Sequence, residues 1–185
     1  MSWVCSGYAW SVNHAWKTSA IPGTRGAHAR TAGTSRTYKT WDVPRGHALQ
    51  VRFDTKIAVL LRDDLEVWQR LNVTAFLASG IAANAELLGE PYTDADGTLY
   101  TPMFRQPVLV FTGDSDVMAA AHERAVRRGL PTAVYTEELF STGHDEANRA
   151  AVRAVARDDL KLVGMAVHGP RNAVDKVLKG ATLHP

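Results

Sequence analysis

Polar side chains that can do chemistry follow two apolar runs of this sequence. Arg62, Asp63 and Asp64 come directly after the run KIAVLL, and Glu137 and Glu138 come directly after the run AVYT. A carboxylate can take a proton from water, and an amide or a helix N-terminal N–H can stabilise the oxyanion that forms in acyl transfer. We therefore expect Glu137 or Glu138 to act as a base and Arg62, Asp63 and Asp64 to contact a substrate.

Four more residues complete the candidate site. Asn72 is the expected donor to an oxyanion, and Thr142 is a candidate catalytic hydroxyl. Thr74 and Thr136 are expected to contact the substrate, because they lie close in sequence to Asn72 and to the two glutamates. The sequence thus predicts a site with carboxylate, amide and hydroxyl groups.

Each of these residues also has a purely structural interpretation. Asn and Thr are common at helix N-termini, so Asn72 and Thr142 are also candidates for helix caps. The two glutamates are then solvated loop charges, and Arg62 forms a local ion pair with a neighbouring aspartate. Both sets of alternatives stay open on the sequence alone.

The histidines do not form a metal motif. His122, His144 and His168 are too widely spaced for the i, i+4 pair of a helical zinc site. The glycine-rich loops that bind phosphate, Gly-x-x-x-x-Gly-Lys-Ser/Thr and Gly-x-Gly-x-x-Gly, do not occur. We expect neither a metal nor a cofactor.

The elements that must position these residues alternate along the chain from Lys56 onward. Strands are predicted for four apolar runs within residues 56–61, 106–113, 131–140 and 161–169. Helices are predicted between and after them, over residues 69–88, from Asp114, Ser115 or Asp116 to Arg128, from Thr142–Asp145 to about Val155, and from Pro170 to Gly180. The residues around Asp96 and Gly97 predict a turn or β-hairpin.

This order predicts an α/β fold with a mainly parallel or mixed sheet and helices on both faces. The carboxyl ends of the first and third strands then lie close together, where ligand sites of α/β proteins gather. The helix predicted over residues 69–88 is nearly apolar all round, which is typical of a buried helix.

The same segments resemble the peptidyl-tRNA hydrolase 2 family over nearly all of residues 56–183. KIAVLLRDDL is similar to the first strand of that family and its Arg-x-Asp-Leu exit, and AAAHERAVRRGLPTAVYTEE resembles its helix, Gly-Leu turn and third strand. LVGMAVHGPRNAVDKVLKGATL resembles its closing segment, in which Gly-x-Gly-Pro is followed by Asp-Lys-Val. LNVTAFLASG and AVYTEELFSTGHDEANR resemble a related family more closely, domain-of-unknown-function family 2000.

The resemblance implies a three-layer α/β/α fold around a four-stranded mixed sheet. It implies the activity less clearly, because the Lys, Gln and His of the hydrolase site fall on Asn72, Phe76 and Ser79 here. The functional Asp of the hydrolases falls on Glu137 or Glu138. Two functions therefore remain: a hydrolase or transferase acting on an aminoacyl or peptidyl ester or amide, or a non-catalytic module that binds a small molecule or regulates a partner.

Charge and composition divide the chain. Residues 1–50 contain four of the five tryptophans and carry six basic residues against one acidic residue, whereas residues 51–185 carry 15 basic and 18 acidic residues. Because the first segment has no helical or alternating pattern, we predict a disordered or non-native extension over residues 1–52 and one domain over 53–185. A basic interaction arm, a targeting peptide and a start codon placed too far upstream are the three interpretations of the extension.

Composition also limits which location and which partners we expect. A single cysteine, Cys5, favours a reducing compartment, so the expected location is cytoplasmic. No apolar run is long enough to cross a membrane. A small-molecule or aminoacyl-type substrate is the expected partner, and the acidic balance of residues 51–185 gives tRNA little support. A second copy of the chain, in a homodimer, is the remaining candidate partner.

Overall fold

The computed structural model describes residues 52–185. The extension predicted over residues 1–52 lies almost wholly outside the described residues and stays a prediction. In the described part, the elements in chain order are β1 (Thr55–Arg62), α1 (Val67–Ala82), β2 (Tyr92–Thr93), β3 (Leu99–Tyr100), β4 (Val108–Gly113), α2 (Ser115–Arg127), β5 (Thr132–Thr136), α3 (Asp145–Arg153), β6 (Leu162–Pro170), α4 (Arg171–Val177) and β7 (Thr182–Leu183). None of the helices in this part is long and apolar enough to span a membrane.

The main sheet is mixed and has five strands, in the order β5-β6-β1-β4-β7. β1 pairs with β4 in parallel, and β6 lies antiparallel between β1 and β5. The four strands predicted from apolar runs are present, and the prediction of a four-stranded sheet is corrected to a five-stranded one. The fifth, β7, has only two residues and pairs with the outer edge of β4, so it carries no apolar run that the sequence could reveal.

Helices cover both faces of this sheet, as predicted. Alternate side chains of β1 point to opposite faces because successive residues of a strand alternate. Ile57, Val59 and Leu61 pack in a core with α1. Ala58 and Leu60 pack in a second core with α2 and α4.

Two glycines let α1 lie close to β5 and β6. A Cβ added to Gly164 of β6 would lie 2.5 Å from Cγ1 of Val73 and 3.0 Å from Cδ1 of Leu77. A Cβ added to Gly80 of α1 would lie 2.9 Å from Cβ of Ala133 on β5. Real Cβ atoms do not approach so closely, so both positions require the absence of a side chain.

The prediction that α1 is a buried helix is wrong. Only Val73, Leu77 and Ile81 of this helix are buried, and its opposite face is exposed. The predicted range of 69–88 is also too long, because the helix ends at Ala82 and Asn84 starts a separate short 3₁₀ turn by accepting a hydrogen bond from the Glu86 N–H. A uniformly apolar composition hid which stripe faces the sheet, since no periodic contrast marks it.

Two of the remaining turns lie where the sequence predicts them, and one helix cap does not. The predicted hairpin is present as the antiparallel pair β2 and β3 around Asp96 and Gly97. Gly129 ends α2 with a φ of 62°, the left-handed conformation that favours glycine. The third helix begins at Asp145 and is capped by His144, whose side chain accepts a hydrogen bond from the Ala147 N–H, so the prediction that Thr142 is the cap is wrong.

The Gly164 contact gives a stability prediction. We expect Gly164→Ala to lower the free energy of unfolding by about 1–3 kcal/mol, because the added methyl must displace Val73 and Leu77 from a packed core. Gly143→Ala is the matched control, since a Cβ there meets no atom within 4 Å. Chemical denaturation of both variants checks this, and equal stabilities would contradict the close approach of α1 to the sheet.

Candidate functional site

The carboxyl ends of β1 and β5 share one edge of the sheet. Leu61 at the end of β1 and Tyr135 near the end of β5 both pair with the same residue of β6, Gly164. The expectation that the first and third strands end close together is therefore confirmed. The polar residues that follow the two strands are brought to a common region.

Arg62 joins the residues after β1 to the residues after β5. Its Nε donates to Oδ1 of Asp64 at 2.6 Å, and its Nη1 donates to Oε1 of Glu137 at 2.6 Å. We call these three residues the Arg62 cluster. Partial burial opposes the charged form of Arg62, but the hydrogen bonds to Asp64 and Glu137 outweigh it and raise the pKa of the guanidinium. Arg62 is a permanent cation that already holds two carboxylates.

The other acidic candidates differ from Glu137. Asp63 is exposed, and its backbone carbonyl accepts a hydrogen bond from Nη2 of Arg70 at 2.6 Å. The neighbouring Thr136 hydroxyl lowers the pKa of Glu138, which makes its carboxylate a weaker base. Thr136 itself is completely buried, so its side chain has no surface for a substrate to contact.

Asn72 lies inside α1, so the alternative that it caps a helix is wrong. Its Nδ2 donates to Oη of Tyr135 at 3.3 Å, across the contact between α1 and β5. Thr74, two residues further along the helix, donates its hydroxyl to the Arg70 carbonyl of the preceding turn at 2.7 Å. Asn72 thus orients a tyrosine, and Thr74 bonds within its own helix.

Tyr135 connects Asn72 to Thr142. The Oη of Tyr135 contacts the Leu139 carbonyl at 3.5 Å, and Oγ1 of Thr142 donates to the same carbonyl at 3.1 Å. The Thr142 hydroxyl also contacts the side-chain amide of Asn148 on α3. We call these five residues the Tyr135 network. No carboxylate or imidazole touches the Thr142 hydroxyl within it, so nothing there activates this hydroxyl as a nucleophile.

A cavity of about 700 Å³ opens beside the Tyr135 network, between α1, β5 and α3. We call it the α1–α3 cavity. Its inner wall is formed by apolar and aromatic residues: Phe76, Leu77, Gly80, Ala133, Tyr135, Leu139 and Val152, together with Val134, whose side chain packs in the core on the other face of the sheet. Its rim is formed by polar groups from the ends of these elements: Ser79, Thr142, His144, Asp145, Asn148, Arg149 and Arg153.

The rim carries more positive than negative charge. Asp145 is its single carboxylate, and it forms an ion pair with Arg149 one turn along α3. Arg153, a further turn along, forms no ion pair with any residue that the structure describes. The rim therefore offers one guanidinium that no described carboxylate neutralises.

The structure separates the predicted site into two groups. Arg62, Asp64 and Glu137 form the Arg62 cluster, and none of them lines the α1–α3 cavity. Asn72 and Thr142 belong to the Tyr135 network, and Thr142 lines the cavity. The sequence predicts a single site for both groups, and their separation depends on where α3 packs, which the sequence does not indicate.

Three residues of the site were missed. Tyr135 lies in the third predicted strand, and a tyrosine near a strand end carries a hydroxyl that usually needs a hydrogen-bond partner. Asn148 and Arg153 lie on α3, and their spacing from Asp145 and Arg149 places them along one side of a helix. That pattern was visible in the sequence, but nothing indicated which surface it would face.

Comparisons with known proteins identify the fold without a function. A family model described as a protein of unknown function, DUF2000, matches residues 55–185. The solved structure of a protein of unknown function from Agrobacterium tumefaciens strain C58 is 51% identical, with a TM-score of 0.70, and covers 72% of this chain and 100% of its own. No curated protein matches the chain.

The buried hydroxyl of Tyr135 gives a prediction on pH. Burial raises the pKa of Tyr135 more than the hydrogen bond from Asn72 lowers it. Because the folded pKa is above the unfolded value of 10.0, the stabilisation from this group is complete below that pH and is lost as the pH rises through the folded pKa.

Ultraviolet absorbance of tyrosinate should therefore show a late-titrating component that Tyr135→Phe removes. Tyr92→Phe, at an exposed tyrosine, is the control and should leave that component in place. A late component that survives in Tyr135→Phe would contradict the placement of this side chain.

Proposed function

The chain belongs to the DUF2000 family, and we propose that it binds a small amphipathic organic anion in the α1–α3 cavity without transforming it. The observation that carries this proposal is the cavity itself, with an apolar inner wall and a polar rim. A volume of about 700 Å³ lies within the range of pockets that hold metabolite-sized ligands. A wall of apolar side chains with a few polar groups at one end is the usual composition of such pockets.

The rim supports an anionic ligand. Arg153 brings to the rim a positive charge with no described ion pair. Hydroxyl and amide groups of Thr142 and Asn148 lie beside it and can hydrogen-bond a carboxylate or an acyl oxygen. The apolar part of the ligand then packs against Phe76 and Val152.

The wider scaffold is proposed to be that of peptidyl-tRNA hydrolase 2. Its support is the mixed sheet of four long strands with helices on both faces. The positions that the resemblance assigns to the hydrolase Gln and His are Phe76 and Ser79, and both line the cavity. The position assigned to its Lys is Asn72, which holds the cavity residue Tyr135. The cavity would then be the former catalytic site, with its reactive groups replaced.

Hydrolysis of an aminoacyl or peptidyl ester or amide is the second candidate. The shared edge of β1 and β5 favours it, because Glu137 and Glu138 lie there, where a water could reach a carboxylate. Two contacts favour binding instead. Arg62 holds Glu137, and Asn72 donates to Tyr135. The lowered pKa of Glu138 also makes its carboxylate a weak base. A general base must be free to take a proton.

Ligand binding can be tested by thermal shift with a panel of aryl and branched alkyl carboxylic acids, each paired with its neutral amide. A ligand at 100 times its Kd stabilises the folded state by about 2.7 kcal/mol, so a true ligand should raise Tm by roughly 5–10 °C. Arg153→Gln should weaken an acid about tenfold and leave its amide unchanged, because only the acid gains a charge-assisted hydrogen bond.

Filling the cavity provides the control. Val152→Trp places a large side chain on the cavity wall and should abolish the shift, whereas Val126→Trp, at an exposed valine of α2, should leave it intact. A shift that persists in Val152→Trp would contradict the cavity as the site. A panel that produces no shift with the wild-type chain would remove the proposed ligand class.

The hydrolase candidate needs its own assay. We expect no discharge of peptidyl-tRNA or of an aminoacyl ester above background. Turnover that Glu137→Gln or Glu138→Gln abolishes and Val152→Trp preserves would overturn the binding function in favour of catalysis at the sheet edge.

A further inference from the structure

The exposed face of α1 carries four large apolar side chains and no charged one. Four large side chains on this face are mostly in water: Val67 is 73% exposed, Trp68 60%, Leu71 69% and Phe76 51%. Ala75 and Ser79 are exposed between and beyond them. At 3.6 residues per turn, these six positions fall on one side of the helix, opposite the buried Val73, Leu77 and Ile81. We call them the α1 face.

The α1 face also lacks charge. Arg70 is the only charged residue among the 16 residues of α1. Its guanidinium is directed away from the face, since it donates to the Leu65 carbonyl at 2.8 Å and to the Asp63 carbonyl at 2.6 Å. A water-facing side of a helix normally carries polar and charged residues, so this face has the composition of a buried surface.

Two aromatic side chains of the α1 face are held in place by other aromatic rings of the same chain. Trp68 contacts Phe140 edge-on with ring centroids 5.7 Å apart, and Phe76 contacts Tyr135 in the same way at 5.7 Å. Such contacts fix the rings before any partner arrives, which lowers the entropy lost on association. Aromatic anchors of this kind are typical of the centre of protein interfaces.

The area of the face suits a two-fold interface. From their exposed fractions, the four large side chains leave on the order of 500 Å² of apolar surface in water, near the upper end of what a monomer shows. Two copies would bury about 1,000 Å² from these side chains alone, and flanking residues bring the total into the range of roughly 1,200–2,000 Å² found for stable interfaces.

We propose that the α1 face is the interface of a homodimer in which two copies of α1 pack across a two-fold axis. A two-fold axis places a surface against itself, so a charged face would repel its own copy, whereas this one does not. Ala75 lies at the middle of α1, where helices that cross at their midpoints approach most closely, and its small side chain permits that approach. Phe76 and Ser79 also line the α1–α3 cavity, so the interface would adjoin that cavity, but the dimer requires no bound ligand.

Sedimentation of the full chain with two matched variants tests the interface. The chain has a mass of 20.2 kDa, and the wild type should sediment with about twice that mass at micromolar concentration. Leu71→Glu should raise the dimer dissociation constant at least about 100-fold, because the dimer would bury two unpaired carboxylates. Leu99→Glu is the control, since Leu99 is 70% exposed in the β2–β3 hairpin and is changed in the same way.

A cross-link provides a second measurement that does not depend on weakening the dimer. In a Cys5→Ser background, Ala75→Cys should form a disulfide-linked dimer on oxidation, whereas Ala119→Cys, at an exposed position of α2 on the opposite face of the sheet, should not. The Cys5→Ser change removes the only native cysteine.

Four results would overturn the homodimer. The first is a wild type that stays monomeric at concentrations up to about 100 µM. The second is a dimer that survives Leu71→Glu, and the third is a dimer that Leu99→Glu dissociates as readily as Leu71→Glu. The fourth is equal cross-linking of the two cysteine variants. A monomer whose Tm falls in Leu71→Glu would also overturn it, because the face would then be covered from within its own chain.

Discussion

The close approach of α1 to β5 and β6 determines most of what this molecule can do. It depends on two glycines, Gly80 and Gly164, because a Cβ at these positions would collide with Ala133 and Val73 respectively. Because the helix lies so near the sheet, Asn72 reaches the hydroxyl of Tyr135, and one wall of the α1–α3 cavity forms beside it. The same orientation buries one stripe of α1 and leaves its other apolar face in water.

The polar residues that follow β1 and β5 form two separate groups of contacts. In the Arg62 cluster, a guanidinium holds two carboxylates and ties the segment after β1 to the segment after β5. In the Tyr135 network, the hydroxyls of Tyr135 and Thr142 meet at the Leu139 carbonyl, and both residues line the cavity. A hydrolytic site needs a base and an oxyanion donor around one substrate, and here the carboxylates and the amide are engaged in separate groups. Recognition without reaction is the function that this division favours.

The sequence predicted the strands well because each is a short apolar run between polar residues, and the shared edge of Leu61 and Tyr135 followed from their order. It could not reveal β7, which has two residues, or the orientation of α1, whose composition is apolar on both sides. It identified Arg62, Asp64 and Glu137 as polar residues near strand ends and offered an ion pair of Arg62 with a neighbouring aspartate, but it did not predict the contacts of Arg62 with Glu137 or of Asn72 with Tyr135. Those contacts depend on side-chain directions that only the packed structure defines.

The central claim is that the α1–α3 cavity, and not the Arg62 cluster, is where this protein meets a small molecule. Methyl-labelled NMR during titration with a carboxylic acid that raises Tm tests it most directly. The account predicts shifts at Leu77, Leu139 and Val152, which line the cavity, with Val174, Val177 and Leu178 on the opposite face of the sheet unchanged. Unchanged cavity methyls, with shifts confined to Leu61 and Leu65 beside the Arg62 cluster, would contradict it.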